Sequence, residues 1–149
     1  MQFYLITVAL VLLLDRLTKY LVVKNMELTS TVPVIEGFFH LTYIKNAGAA
    51  FGLLANMRWV FVVVTAFILL AVLYMVFKTP TEDILIKVTL GMITGGALGN
   101  LIDRISTGLV IDFLDFRGIW PYIFNVADSF VIVGVVLLTW QVFKSDRIM

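Results

Sequence analysis

The chain has 149 residues, of which 61% are hydrophobic and 14% charged, and its mean hydropathy is +1.03. A soluble domain is about 45–50% apolar and about 25% charged, so this chain lacks the polar surface of a soluble globule, and the same figures exclude a disordered or collagen-like chain. It contains no cysteine, which excludes a disulfide-stapled secreted fold, and its net charge of +1 gives no electrostatic basis for binding nucleic acid. The composition predicts an integral membrane protein with a single domain over residues 1–149.

Four segments are long and apolar enough to form transmembrane helices, since about 20 apolar residues cross about 30 Å of hydrocarbon. They cover about 3–23, 59–77, 84–102 and 124–143. The first contains Asp15, Arg16 and Lys19, but it lacks the preceding basic segment and the following small-residue cleavage site of a signal peptide. We therefore expect it to be retained, in an all-α membrane fold of four transmembrane helices.

The distribution of Lys and Arg predicts the orientation. Four spans place both termini on one side, together with segments 78–87 and 144–149, which hold four Lys or Arg in 16 residues. The opposite segments, 24–58 and 103–123, hold five in 56 residues. By the positive-inside rule the termini are cytoplasmic, and 24–58 and 103–123 are extracytoplasmic.

Residues 32–44 are rich in β-branched and aromatic side chains, with Glu36-Gly37 in the middle. This pattern is typical of short strands joined by a turn. Because non-helical backbone does not lie against lipid tails, we expect a small extracytoplasmic β-sheet on the outer face of the bundle. His40 is then a strand residue that makes local hydrogen bonds.

The charges of the first helix have two interpretations. Asp15 and Lys19 are one turn apart and can pair. A charge at the bilayer centre costs about 2.5–3.5 kcal/mol, so such residues usually face the bundle interior and support a site. Alternatively, Lys19 reaches the outer interface and Asp15 neutralises it. Arg16 is expected to point about 100° away and to extend to the membrane surface.

The third helix has glycines at four-residue spacing, Gly91, Gly95 and Gly99, with Gly96 beside them. Small residues on one helix face let another backbone approach closely. We interpret these glycines as packing residues without a chemical role.

Polar residues gather where the third and fourth helices meet the outer face. They are Asn100, Asp103, Arg104, Asp112, Asp115, Asn125 and Asp128. Asn125 and Asp128 could simply cap the fourth helix and complement its dipole. Four acidic residues on one surface, with only Arg104 and Arg117 nearby, favour a functional carboxylate site.

The residue inventory narrows the chemistry. The lack of cysteine excludes a thiol nucleophile, and a single histidine without a His-Glu-x-x-His motif excludes a zinc metalloprotease site. A pair of Lys19 with Ser106 or Ser129 stays open. So does a pair of aspartates, which would share a proton so that one activates water and the other donates to the substrate carbonyl.

Five motifs in order resemble the signal peptidase II family of bacterial lipoprotein signal peptidases, which are intramembrane aspartyl peptidases. They are Asp15-x-x-Thr18-Lys19, Asn46-Ala47-Gly48-Ala49-Ala50-Phe51-Gly52, Gly95-Gly96-Ala97-Leu98-Gly99-Asn100-Leu101-Ile102-Asp103-Arg104, Gly108-x-Val110-x-Asp112-Phe113 and Phe124-Asn125-Val126-Ala127-Asp128-Ser129. Together with the four spans they cover nearly the whole chain.

The resemblance implies removal of the signal peptide from diacylglyceryl-modified prolipoproteins, just before the lipidated cysteine. It places the catalytic dyad on Asp112 and Asp128, and leaves Asp115 as a loop carboxylate. The supporting residues that it implies are Asn46, Gly48, Asn100, Arg104, Asn125, Ala127, Asp15 and Lys19. Arg16 departs from the family, which often has Gln at this position.

The resemblance also implies that the partners are the prolipoprotein substrate and the lipid bilayer, that no metal or organic cofactor is needed and that no oligomer is required. It places the protein in the bacterial cytoplasmic membrane, with its active site near the extracytoplasmic face. Two other classes remain as alternatives. One is a small transporter or channel subunit, with Asp15 and Lys19 on an ion path. The other is a non-catalytic assembly subunit held by the glycine face.

Overall fold

The structure, a computed structural model, describes residues 1–48, 57–80 and 82–146. These ranges contain four helices and four strands, close to the predicted helical segments. In chain order they are α1 (Gln2–Asn25), β1 (Thr31–Ile35), β2 (Phe39–Asn46), α2 (Arg58–Lys78), α3 (Ile84–Ser106), β3 (Val110–Phe116), β4 (Ile123–Phe124) and α4 (Val126–Asp146).

Helix α3 is the centre of the bundle and contacts each of the other three helices. The glycines of α3 permit this close contact between helices. A Cβ at Gly91 would lie 2.8 Å from the Cβ of Thr7, and a Cβ at Gly95 would lie 2.7 Å from the Cβ of Val11, both on α1. On the other side, a Cβ at Gly96 would collide with the backbone of α4. The predicted packing role of these glycines is confirmed.

Three helices of the described ranges are long and apolar enough to cross a membrane: Arg58–Lys78, Ile84–Ser106 and Val126–Lys144. The chain is therefore a membrane-type helical protein. Helix α1 is equally long, but Asp15, Arg16 and Lys19 interrupt its hydropathy. Its outward side is apolar, with Leu13 63% exposed.

The four strands form one antiparallel sheet in the order β1-β2-β3-β4. The predicted hairpin is present, since β1 and β2 flank the turn at Glu36-Gly37. Gly37 has φ +73°, a left-handed conformation that glycine adopts without strain.

Strands β3 and β4 were not predicted, because the polar residues between the third and fourth helices were expected to lie in a loop. Val110–Phe116 pairs with β2 from Asn46↔Val110 to Phe39↔Phe116. Asp115 is therefore a strand residue and not a loop carboxylate. Its Oδ2 accepts hydrogen bonds from the Thr42 hydroxyl at 2.7 Å and from Arg117 Nε at 3.2 Å.

The expectation for His40 is met only in part. It lies in β2 opposite Asp115, as a strand residue should. Its Nδ1 is buried and has no hydrogen-bond partner in the part of the chain that the structure describes, so the expected local hydrogen bonding is wrong for this atom.

A small apolar cluster joins the sheet to the bundle. Val22 near the end of α1, Tyr43 of β2 and Phe113 of β3 are each 6% exposed or less and pack together. The alternation of side chains along a strand then directs Asp112, next to Phe113, to the other face of the sheet. This arrangement places Asp112 beside the ends of α3 and α4.

Candidate active site

A reciprocal cap at the start of α4 positions Asp128. The backbone N–H of Asp128 donates to the Asn125 side-chain oxygen at 2.9 Å, and the backbone N–H of Asn125 donates to Asp128 Oδ2 at 3.2 Å. This is the pattern of a capping box, which satisfies two helix N-terminal donors at once. The predicted capping role of both residues is therefore present, and it also fixes one carboxylate of the predicted dyad.

The other carboxylate, Asp112 of β3, is 2% exposed and is held by two side-chain amides. Asn46 Nδ2 donates to its Oδ2 at 2.9 Å, and Asn125 Nδ2 donates to its Oδ1 at 2.7 Å. The Asn46 amide is itself oriented because its oxygen accepts the N–H of Gly48 at 2.9 Å. Gly48 thus acts through Asn46 on Asp112.

Asn100 of α3 joins Asp128 to the interior of the bundle. Its Nδ2 donates to Asp128 Oδ1 at 2.7 Å. Its oxygen accepts Lys19 Nζ at 3.0 Å and Asn125 Nδ2 at 3.1 Å. Because an ammonium group only donates, Lys19 sets the Asn100 amide with its oxygen inward and its nitrogen toward Asp128.

A cavity of about 980 Å³ opens over both carboxylates. Its polar lining includes Asn46, Arg104, Asp112 and Asp128, and it includes the backbone of Gly48. Its wall is largely apolar and aromatic, formed by Ile44, Val110, Phe116, Ile119, Trp120, Pro121, Tyr122, Ile123, Phe124, Val131 and Ile132. An apolar cavity with a few convergent polar groups is the usual form of a ligand site.

Arg104 and Lys45 are the two basic residues that line this cavity. The guanidinium carbon of Arg104 lies 4.9 Å from the ring centroid of Phe61 on α2. Within the described ranges, no carboxylate forms an ion pair with Arg104. Among the described residues, the contact with the Phe61 ring is the one that positions this guanidinium.

Burial raises the pKa of Asp112 to about 7, and the negative charge of Asp128 adds to the effect. The amides of Asn46 and Asn125 and the charge of Lys19 act in the opposite direction. Near neutral pH the Asp112 carboxyl therefore exchanges a proton readily, as a general acid or base must.

Behind the cavity lies a cluster of four charged residues, Asp15, Arg16, Lys19 and Asp103, called here the buried charge cluster. Lys19 Nζ lies 2.9 Å from Asp15 Oδ1 and 2.8 Å from Asp103 Oδ2. The predicted pairing of Asp15 with Lys19 is confirmed. The alternative that Lys19 reaches the outer interface is wrong, since its side chain is 2% exposed.

The prediction for Arg16 is also wrong. Its side chain folds back, and its guanidinium contacts Asp15 Oδ2 at 2.6 Å and Asp103 Oδ1 at 2.7 Å. The Arg16 side chain is 34% exposed, but its guanidinium faces the two buried carboxylates. Asp103 was expected to belong to the acidic residues of the outer face, and its pairing with Arg16 was not predicted.

The predicted site residues therefore occupy three layers. Asn46, Gly48, Arg104, Asp112 and Asp128 line the cavity. Asn100 and Asn125 lie behind them, at 7% and 0% exposure. Asp15, Lys19 and Ala127 lie deeper, where the Ala127 N–H donates to Asp15 Oδ1 at 3.3 Å. Residues 49–52 of the second motif lie outside the described residues.

The serine–lysine alternative has no support in this geometry. The Ser106 hydroxyl donates to the Ile102 carbonyl at 2.7 Å and the Ser129 hydroxyl to the Asn125 carbonyl at 2.9 Å. Lys19 donates to the Asn100 oxygen and forms ion pairs with Asp15 and Asp103 instead. Only the aspartate pair of the two options shares a cavity.

The fold and the paired carboxylates define a helical membrane protein with an acidic site at the mouth of an apolar cavity. A sequence profile described as Signal peptidase (SPase) II matches residues 7–144, and the chain belongs to this family. It is thus a membrane-spanning protease of lipoprotein processing. This class excludes the transporter and assembly-subunit alternatives.

Curated relatives and a solved structure support the same family. The chain is 47% identical to the lipoprotein signal peptidase of Desulfitobacterium hafniense (strain DSM 10664 / DCB-2) over 142 residues, 95% of this chain and 93% of the relative. It is 48% identical to that of Caldanaerobacter subterraneus subsp. tengcongensis over 141 residues, 94% of this chain and 96% of the relative. A bacterial membrane enzyme solved by the in meso method at 2.3 Å superposes with a TM-score of 0.89 at 34% identity, covering 96% of this chain and 88% of that one.

Proposed function

We propose that the chain is an intramembrane aspartyl endopeptidase. It removes the signal peptide from diacylglyceryl-modified bacterial prolipoproteins by cutting just before the lipidated cysteine. The observation that carries this proposal is the placement of Asp112 and Asp128 in one cavity, each oriented by side-chain amides. Two carboxylates at such a site can share one proton and divide the roles of acid and base.

The mechanism assigns the resting proton to Asp112, whose pKa is about 7. Asp128 takes a proton from water, and the water oxygen attacks the scissile carbonyl carbon. Asp112 gives its proton to the carbonyl oxygen, so a neutral tetrahedral diol forms. Asp128 then protonates the leaving nitrogen while Asp112 takes a proton back from one hydroxyl, and the C–N bond breaks.

The supporting residues hold this geometry. Asn46 and Asn125 orient Asp112, and Asn100 orients Asp128. Arg104 lines the cavity, so it is placed to bind carbonyl groups of the substrate backbone. Gly48 acts through Asn46, and Ala127 joins the start of α4 to Asp15 of the deeper layer.

We further propose that α1 is a fourth transmembrane span. Its 24 residues are long enough to cross the hydrocarbon, and the contacts of Asp15, Arg16 and Lys19 with one another and with α3 turn these charges away from lipid. The termini are then cytoplasmic, and the sheet and cavity lie at the extracytoplasmic face of the bacterial cytoplasmic membrane. Water reaches the carboxylates there while the acyl chains of the substrate stay in lipid. The reaction calls for no metal, organic cofactor or oligomer.

The experiment is cleavage of a purified diacylglyceryl-prolipoprotein by the detergent-solubilised protein, with the product identified by mass spectrometry. The product is expected to begin at the lipidated cysteine. The same precursor without its diacylglyceryl group is the matched control and should stay uncut. Failure to cut the lipidated precursor, or a cut at another bond, would contradict the proposal.

A further inference from the structure

Arg16 occupies an unexpected place for a residue next to Asp15 on a helix. Its Nη1 contacts Asp103 Oδ1 at 2.7 Å, and its Nη2 contacts Asp15 Oδ2 at 2.6 Å. The same Nη2 donates to the Gly99 carbonyl at 3.0 Å. The planar guanidinium thus bridges α1 to α3 with both of its terminal nitrogens.

Charge balance explains why this bridge matters. Asp15 is 0% and Asp103 5% exposed, so neither carboxylate has access to bulk water. Arg16 binds one oxygen of each carboxylate, and Lys19 binds the other oxygen of each. Two acids and two bases make the buried charge cluster neutral. Without Arg16, a single ammonium would face two buried carboxylates.

The cluster is coupled to the aspartate pair through Asn100, and the Ala127 N–H also joins Asp15 to the start of α4 at 3.3 Å. Lys19 Nζ donates to the Asn100 oxygen at 3.0 Å, and Asn100 donates to Asp128 at 2.7 Å. A net negative cluster would draw the ammonium away from Asn100 toward the carboxylates. The Asn100 amide would then lose the contact that fixes its orientation.

We propose that Arg16 is a positioning residue for peptide-bond cleavage, because it carries half of the charge compensation in the buried charge cluster and so leaves Lys19 to hold Asn100 and, through it, Asp128. The proposal rests on the proposed peptidase function. Arg16 does not line the cavity, so its proposed role is to position other residues.

The charged groups of the cavity and of the buried charge cluster lie on five elements. They are Asp15, Arg16 and Lys19 on α1, Lys45 on β2, Asp103 and Arg104 on α3, Asp112 on β3 and Asp128 on α4. Loss of Arg16 makes this set more negative by one charge. The pair then binds its shared proton more tightly.

The test is the pH dependence of kcat and KM for cleavage of the diacylglyceryl-prolipoprotein in detergent. Arg16→Gln should move both limbs of the kcat profile to higher pH by about half a unit and lower kcat about tenfold, with KM unchanged. Arg16→Lys keeps the charge, so its limbs should return to the wild-type pH. Lys24→Gln, which removes an exposed charge from the same helix, is the matched control and should leave the profile unchanged.

The double variant Arg16→Gln/Asp103→Asn separates charge balance from packing. It restores a neutral cluster of one acid and one base, so its limbs should coincide with those of the wild type. If Arg16→Gln alone does not fold, the pH profile of the double variant still tests the proposal. A double variant that stays shifted or inactive, or an Arg16→Gln profile that keeps the wild-type limbs, would overturn the proposal. Wild-type protein that leaves the substrate uncut overturns the proposed function instead, and this inference with it.

Discussion

Two pairs of buried aspartates lie on either side of the Asn100 side chain, and their immediate surroundings are opposite in kind. Asp15 and Asp103 are held by the cations of Arg16 and Lys19. Asp112 and Asp128 accept their hydrogen bonds from neutral amides instead. Each oxygen of Asp15 and Asp103 faces a cation, whereas the amides around Asp112 leave a carboxyl whose pKa burial raises to about 7. The difference separates a structural pair from a reactive one.

Asn100 lies between the two aspartate pairs. Its oxygen faces the ammonium of Lys19 and its nitrogen faces Asp128. The neutral amide of Asn100 orients the Asp128 carboxylate without placing a full positive charge next to it. The comparison predicts that changes to the amide-held pair remove activity, whereas changes to the cation-held pair first reduce stability.

The largest expected effect is loss of activity in the amide-held pair. Asp112→Asn or Asp128→Asn should lower kcat by at least about 10³-fold, because each removes one of the two proton-transfer groups. Cleavage of the lipidated precursor, followed by gel shift, measures this loss.

Asp115→Asn is the matched control, since Asp115 lies on the same strand but binds Thr42 and Arg117 outside the cavity. It should cut at nearly the wild-type rate. Near-normal turnover by either dyad variant would remove that aspartate from the mechanism.

A large loss of stability is expected when the cation-held pair loses its buried ammonium. Lys19→Met leaves two buried carboxylates with Arg16 alone, and breaking a buried ion pair costs about 3–5 kcal/mol. Unfolding in mixed detergent micelles measures the free energy of unfolding. Lys24→Met, at an exposed position of α1, should change it by less than about 0.5 kcal/mol. Equal stability of the two variants would contradict the structural role of the cluster.

A smaller effect is expected where helix packing meets the cluster. In Gly99→Ala the new Cβ would lie 2.5 Å from Asp15 Oδ2, and in Gly91→Ala it would lie 2.8 Å from the Thr7 Cβ. Both variants should lose about 1–3 kcal/mol of stability from overpacking between α1 and α3. Only Gly99→Ala should also slow cleavage, because only its methyl group displaces a member of the cluster. Equal kcat for the two variants would refute that link.

The smallest effect is a pH dependence of stability that comes from Asp112. Its pKa is about 7 in the folded protein against an ordinary value of 3.8, so the folded state binds more protons between these two values. Stability should therefore fall as pH rises from about 4 to about 7. Asp112→Asn should lose this slope and exceed the wild-type Tm at pH 8, measured by thermal unfolding in detergent. An unchanged slope in the variant would contradict the assignment.

The helices could be predicted from the sequence because apolar length alone defines them, and α2 follows its predicted bounds within a residue at each end. The hairpin of β1 and β2 was also readable from its turn. Strand β3 was missed because Asp112 and Asp115 interrupt its apolar residues, and its pairing with β2 and β4 forms only in the folded chain. Arg16 was misplaced for a similar reason, since its partner Asp103 is 87 residues away along the chain.

The candidate site could be predicted from the sequence only in part. Asn125 and Asp128 have the spacing of a helix cap, which local sequence shows directly. The pairing of Asp128 with Asp112 came from the motif resemblance, since the residues alone left a serine–lysine pair open. The amide donors to Asp112 come from β2 and from the start of α4, and only the folded chain brings them together.

The most direct test of the contrast between the two pairs is an infrared titration of the carboxyl C=O stretch in the detergent-solubilised protein. The wild type should show a protonated-carboxyl band that disappears with a midpoint near pH 7, the pKa of Asp112. Asp112→Asn should abolish this band and Asp115→Asn should preserve it. A band that persists near pH 7 in Asp112→Asn would show that the exchangeable proton lies elsewhere, and the division between reactive and structural aspartates would fail.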